Sequence, residues 1–387
     1  MECPIGEHAV KNRLVFVDLL RGWATIVMIE VHVFNAFIFD AVKGEGWFQA
    51  LNFVNGLVAP TFLFVAGFVF VVASDRKLEE FRTYGKAFWK QLSRIGLVWV
   101  IGYGLHLPFF SLYRTLYDST QDQLLQFYQS DILHCIAIGM LIIFIGRIVI
   151  RSDMWYQRFL ILLGSIFVLL APVLWDVDYS GRLPGYLASY LNGQQGSMFP
   201  LFPWLGFLMY GAVAAFAHKR ARSTGKEAAY FQWLLLIGIG LIVVGSVFVD
   251  LPSRIPTLST AIRANPLFFA SRLGIIAALL AACYYYGEWR KTERSFVLDV
   301  SRESLLVYTA HLLVIYGRFW NDQSPAALYG GSFSVVECIA GTLGLILLMI
   351  ASAKLWGWIK KQTFPWARYI SYATGLTTLI LFLIRKY

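Results

Sequence analysis

The stretch RLVFVDLLRGWATIVMIEVHVFNAFIF, Arg13 to Phe39, decides how the rest of the chain is read. A membrane-spanning helix needs about twenty predominantly apolar residues. This stretch has the length and apolarity, yet it carries Asp18, Arg21, Glu30 and His32. A charge at mid-bilayer costs several kcal/mol, so such groups face protein or a polar cavity and mark function by default. At about 100° per residue, the steps from Arg21 to His32 return to nearly the same face, about 16 Å further along the axis. Asp18, one turn before Arg21, is placed to pair with it, and Asn35, one turn past His32, shares the face. One side of this helix is therefore a polar rail, with an imidazole near one end and a guanidinium near the other. Glu30 points to roughly the opposite face. It meets His32 only if the helix opens there, and otherwise pairs elsewhere, for example with Arg94 or Arg272.

The composition agrees with a membrane setting. Hydrophobic residues make up 58% of the 387 and charged residues only 14%, where a soluble protein carries about 25% charge; the mean hydropathy is +0.61. Apolar runs recur at about 14–39, 48–73, 88–110, 132–150, 159–175, 199–217, 231–249, 268–287, 297–316, 333–358 and 366–384. The expected fold is an all-α polytopic membrane protein with ten or eleven transmembrane helices. It forms a single transmembrane domain over 1–387, with core spans over about 14–317 and additional C-terminal helices over 333–384. Twenty basic residues fall in alternate loops, from Lys11 and Arg13 to Lys360 and Lys361, against eight in the others, Lys43, Arg114 and Arg318 among them. The positive-inside rule then puts the N-terminus in the cytoplasm and the C-terminus outside. The net charge of +10 is mostly topology with some attraction to anionic lipid heads, and no basic soluble domain offers itself to nucleic acid. Residues 1–12 show no cleavable signal. Cys3, Cys135, Cys283 and Cys338 have neither CxxC nor Cys/His spacing, so they read as free thiols with no metal site.

Other polar residues punctuate the spans. His32 is either a general base or a packing residue bonded to a neighbouring helix. In APTFLFVAGF (Ala59 to Phe68), Pro60 is expected to bend the helix and Gly67 to allow close helix contact, both as packing features. In SDILHCIAIG, Asp131 and His134 lie one turn apart near the outer surface, where they bind substrate or cap the helix and pair with each other. Trp204, in MFPLFPWLGFLMYG, belongs to an aromatic interface belt or offers a sugar a stacking surface at the outer mouth of its span. In VSRESLLVYTAHLLVIYG, Ser304, Tyr308 and His311 share one face, making His311 a second intramembrane candidate to line a cavity. Arg94, Arg272, Arg302 and Arg368 read as buried or half-buried cations able to hold an anionic ligand. Arg94, Arg302 and Arg368 can instead snorkel at helix ends. The loops at 111–131, 176–198 and 250–267 are long enough for an external vestibule and equally ordinary as connections.

RLVFVDLLRGWATIVMIEVH resembles the first-span signature of the heparan-alpha-glucosaminide N-acetyltransferase family, part of the transmembrane acyltransferase superfamily that includes the type 3 acyltransferases. The interval from Arg21 to His32 matches that superfamily's pattern, and Glu30-Val31-His32 resembles its acid-x-His variant. APTFLFVAGF, FPLFPWLGFLMYGA and SRESLLVYTAHLLVIYG resemble later blocks in the same order. The resemblance implies acyl-CoA-dependent transfer across a membrane, the bacterial inner membrane in a bacterial member. Cytoplasmic acetyl-CoA, as co-substrate, gives its acetyl group to an amine or hydroxyl of a sugar on the far side. By that match His32 is the catalytic histidine, Glu30 its acidic companion and Arg21 a conformational or CoA-binding element, with Asp18 beside it. Arg94, Arg272 and Arg302 become candidates for the CoA phosphates, and His311, His134, Asp131 and Trp204 for the acceptor. No RxxR motif like that of some type 3 relatives is present, so no phosphate ligands carry over from it. The extra external domain of some family members is also missing, which leaves the acceptor open.

The expected reaction is direct attack. His32 takes the acceptor's proton, while Asn35 or His311 donates to the oxyanion; an acetyl-histidine intermediate is the rival route. Expected partners are acyl-CoA, a sugar or glycan acceptor and membrane lipids, with a homodimer left open. The alternative class is a transporter or flippase of a lipid-linked sugar, which fits many helices and intramembrane charges but has no use for CoA. The other large family of membrane-bound O-acyltransferases is disfavoured, since no WHG-type block surrounds any of the six histidines.

Overall fold

The computed structural model describes residues 14–179, 181–290, 295–317 and 323–386. Lys11, Arg13, Lys291, Arg294 and Arg318 of the loop-charge pattern, Cys3 and the segment 1–12 lie outside the described residues. Long helices dominate the rest. They are α1 (Val15–Phe37), α2 (Gly46–Asn55), α3 (Val58–Ser74), α4 (Lys86–Leu105), α5 (Ile132–Val149), α6 (Asp153–Leu174) and α7 (Leu201–Ser223). They continue as α8 (Glu227–Val247), α9 (Pro266–Arg290), α10 (Phe296–Arg302), α11 (Ser304–Tyr316), α12 (Val335–Ile359) and α13 (Trp366–Ile384).

Each expected apolar run is helical, but two are broken: α2 gives way to α3 at Gly56–Leu57, and α10 to α11 at Glu303. Among the described residues eight stretches are long and apolar enough to cross a membrane, which makes the chain a polytopic membrane protein. Three of the expected spans fall outside that set for visible reasons. The polar rail dilutes α1, Lys86, Lys90 and Arg94 dilute the first half of α4, and the break at Glu303 leaves α10 and α11 short.

The charged first span occupies the middle of the bundle, since α1 packs against α3, α9, α10, α11 and α12. It joins two apolar cores. One gathers Phe16, Phe64, Phe68, Leu208 and Phe231, and the other Ile29, Phe34, Val300, Val307 and Met349. Pro60 is not a bend. It lies in the first turn of α3, where a missing N–H breaks no helical bond, and the change of direction falls just before it at Gly56–Leu57. Gly67 does allow close contact: a Cβ there would lie 1.9 Å from the Leu208 carbonyl oxygen of α7, and one at Gly211 only 2.0 Å from that of Phe64. The α3 and α7 backbones therefore meet through a reciprocal pair of glycines. At the far edge, α13 buries none of its residues.

Candidate functional site

At one end of the rail, Arg21 is held by two helices. Its Nη2 donates to Asp18 Oδ1 at 2.7 Å, and its Nε donates to Ser301 Oγ of α10 at 2.9 Å. Ser301 is fully buried and lies 3.4 Å from the same carboxylate oxygen. Arg21 also borders a cavity of about 310 Å³ between α1, α3, α4, α5 and α11, whose polar lining comprises Arg21, Ser74, Lys77, Gln91, Arg94 and Ser304. Among the described residues three cations and no carboxylate line it, so it favours an anion. Ser304 opens α11, whose first N–H groups add positive character there.

At the other end, the His32 ring faces His311 of α11 with centroids 5.2 Å apart, and Tyr316 lies edge-on at 6.0 Å. His311 is fully buried, and its Nδ1 is 2.7 Å from the Val307 carbonyl oxygen. A carbonyl only accepts, so Nδ1 carries the proton and Nε2 of the neutral ring is an acceptor. That Nε2 is buried without a partner among the described residues. Neutral His311 therefore cannot be the oxyanion donor expected from its position.

The polar row continues past His311. The Tyr308 ring is 5.9 Å away, and its hydroxyl donates to Asp131 Oδ2 at 3.0 Å. The same oxygen is 4.0 Å from His106 Nε2. The Asp131 N–H donates to His134 Nδ1 at 3.2 Å, so the helix-start pairing of these two residues exists while the Asp131 carboxylate reaches across to α11. His134 is fully buried under the Tyr103 ring, with centroids 4.2 Å apart. Tyr103 in turn meets Tyr190 of the 176–198 loop, which also accepts from Trp99 at 3.2 Å. Burial pushes the Tyr190 phenol above its ordinary pKa, so it stays protonated at neutral pH.

Several expected roles do not survive the geometry. Asn35 is exposed and makes no hydrogen bond with the described residues, so it is no buried oxyanion donor. Glu30 pairs with neither Arg94 nor Arg272; its Oε1 accepts from Asn55 Nδ2 at 3.5 Å, because α1 stays helical and carries the carboxylate away from His32. Of the four arginines read as buried or half-buried, only Arg272 is. Arg94 is exposed at the cavity, Arg302 is exposed and bonded to Asp299 at 3.4 Å, and Arg368 is exposed on α13. Trp204 is neither an interface residue nor an open platform. It is buried edge-on to Phe199, with centroids 4.9 Å apart, and tilted against Phe207. Ser301, Asn55 and Lys77 were not singled out for the site. Asn55 carries a faint sequence signal, a polar residue before a glycine inside an apolar run, while Ser301 and Lys77 carry none above an ordinary span end.

A central helix with ionisable groups on one face, closed by a broken helix and opening on a cationic cavity, defines a polytopic membrane protein built around an intramembrane polar centre. Residues 13–244, more than half of the chain, match the family described as heparan-alpha-glucosaminide N-acetyltransferase, catalytic, and the chain belongs to that family. It is thus a membrane acyltransferase of an acyl-CoA-dependent family. The match takes in Asp18, Arg21, Glu30, His32, Arg94, Asp131, His134 and Trp204, and stops before Arg272, Arg302 and His311. No curated protein matches the chain.

Proposed function

We propose that this chain moves an acetyl group from acetyl-CoA, bound from the cytoplasm, to an amine or hydroxyl of a sugar on the opposite side of a bacterial inner membrane. The observation that carries the reading is the rail itself. Arg21 and His32 share one face of α1, about 16 Å apart along its axis, and both meet the broken helix α10–α11, through Ser301 and His311. The CoA phosphates then sit among Arg21, Lys77 and Arg94 at the mouth of α11, and the pantetheine arm runs along α1 and brings the thioester to His32. His32 takes the proton of the acceptor N–H or O–H, whose heteroatom attacks the thioester carbon. The C–S bond breaks, and the proton ends on the leaving thiolate. His311, with only an acceptor nitrogen to offer, holds the donor N–H of His32 or of the acceptor in line.

The test is acetyl-CoA binding by detergent-purified protein, measured by calorimetry for wild type, His32→Ala and Arg21→Ala. Micromolar binding by wild type and His32→Ala is expected, with Arg21→Ala weaker by about tenfold or more, the value of a charge-assisted hydrogen bond. Failure of every form to bind CoA or its esters would remove the donor and make transport of a lipid-linked sugar the better reading.

A further inference from the structure

A second polar constellation lies on the opposite face of α1, and the reaction above does not use it. Arg272 of α9 is 7% exposed, and no hydrogen bond or ion pair to another described residue reaches its guanidinium. Its Nε and Nη1 are both buried without a partner among the described residues. Two aromatic rings fix it, Phe268 at 4.3 Å and Phe53 at 5.2 Å from the guanidinium carbon. Gly56 makes the room, since a Cβ there would lie 2.6 Å from Nη1. Beside Gly56, Asn55 is 6% exposed; its Nδ2 donates to Glu30 while its Oδ1 is buried with no partner among the described residues. Arg263, in the turn just before α9, is near enough for the two guanidiniums to repel. Buried cations are paired, because an uncompensated charge out of water is costly, and here the described residues supply no carboxylate within bonding distance. What is missing is an anion.

We propose that Arg272 and Asn55 form a binding site for a phosphate-ester group. The guanidinium donates to its oxygens and the Asn55 Oδ1 accepts from a hydroxyl on the group it carries. A ring-clamped guanidinium suits phosphate because its N–H groups are held in one plane, with Nε and Nη1 bonded to no described residue. Phe53 is 47% exposed, so the site opens at an apolar surface, where phosphate arrives either on a lipid-linked sugar acceptor or on a phospholipid head. Glu30 is two residues from His32, which puts the site at the depth of the reacting imidazole. That proximity ties the acceptor version to the acyltransferase reading; the binding site itself does not depend on it.

The test uses full-length protein in phospholipid-free detergent at constant ionic strength, as wild type, Arg272→Gln, Arg272→Lys and Gly56→Ala. Calorimetry follows inorganic phosphate, glucosamine 1-phosphate, dihexanoyl phosphatidylglycerol and, as neutral control, glucosamine. Phosphate-bearing probes are expected to bind wild type and to lose about tenfold or more in Arg272→Gln, less in Arg272→Lys. Gly56→Ala weakens them by crowding Nη1. Glucosamine 1-phosphate binding more tightly than the lipid assigns the site to the acceptor, and the reverse order assigns it to the lipid head. Phosphate affinities equal in wild type and Arg272→Gln overturn the proposal. So does a ligand-free Arg272→Gln that melts lower than wild type, the mark of a structural cation. Acetyl-CoA binding measured on the same samples separates the two ideas, because it fails only if the acyltransferase reading fails.

Discussion

Removing the imidazole of His32 should separate chemistry from binding. General-base catalysis contributes about 10²–10⁴-fold, so His32→Ala should lose about 3–5 kcal/mol of transition-state stabilisation at about 1.4 kcal/mol per tenfold. Acetyl-CoA affinity should be kept, because the cationic cavity lies at the Arg21 end. His311 should matter less. Its Nδ1 is committed to the Val307 carbonyl, so it offers one acceptor lone pair to a neighbour whose ring is 5.2 Å away. A lost hydrogen bond of about 1 kcal/mol makes His311→Ala roughly fivefold slower. If the two rings act as a unit, the double variant is no slower than His32→Ala alone. Radiolabelled acetyl transfer to glucosamine in proteoliposomes, beside calorimetric binding, measures all four forms. A His32→Ala enzyme keeping more than a tenth of the wild-type rate, or slower turnover by His311→Ala than by His32→Ala, would refute the assignment. Transient acetylation of His32 on mixing with acetyl-CoA alone would make it the nucleophile rather than the base.

Gly67→Ala should destabilise the protein by about 3 kcal/mol, since its methyl meets the α7 backbone rather than a side chain that can turn away. Gly96→Ala, with nothing within 4 Å of its Cβ, should leave the melting temperature in detergent equal or higher. The ion pair of Lys360 Nζ with Glu303 Oε2 at 2.5 Å is asymmetric, with side chains 46% and 10% exposed. Lys360→Ala strands a buried carboxylate and should cost about 1–3 kcal/mol. Glu303→Gln leaves a solvated lysine and should cost under about 1 kcal/mol; thermal unfolding of the two variants checks the order. A chain ending at Lys361 should bind acetyl-CoA as the full chain does, since α13 buries no residue.

Much of the fold was legible because helical periodicity is local. Eleven apolar runs mark the helices, and the interval from Arg21 to His32 sets both side chains on one face without knowledge of any neighbour. What that face meets was not legible. Ser301 reaches Arg21 from 280 residues downstream, and no periodic pattern records such a pairing. Exposure was misjudged for a related reason. Arg94, Arg302 and Arg368 all lie within apolar runs, but burial depends on which side of the helix the bundle covers, and only Arg272 turned inward. Trp204 erred the other way. An aromatic at a span end reads as an interface anchor, yet the fold closes Phe199 and Phe207 over it.

The break at Glu303 sets two separate polar features against one face of α1. The break lets α10 end with Ser301 under Arg21 and starts α11 afresh at Ser304, so that α11 presents its first N–H groups to the cationic cavity and carries His311 up to His32. An unbroken helix through 296–316 would keep those N–H groups in its own ladder and remove that positive end. Such a restart has a cost, because it leaves the buried Glu303 carboxylate next in sequence to Ser304, which lines the cationic cavity. Lys360 offsets it from the C-terminal cap of α12. On this argument Lys360 tunes the donor end as well as the fold, and Lys360→Ala should weaken acetyl-CoA binding while Glu303→Gln leaves it equal or tighter.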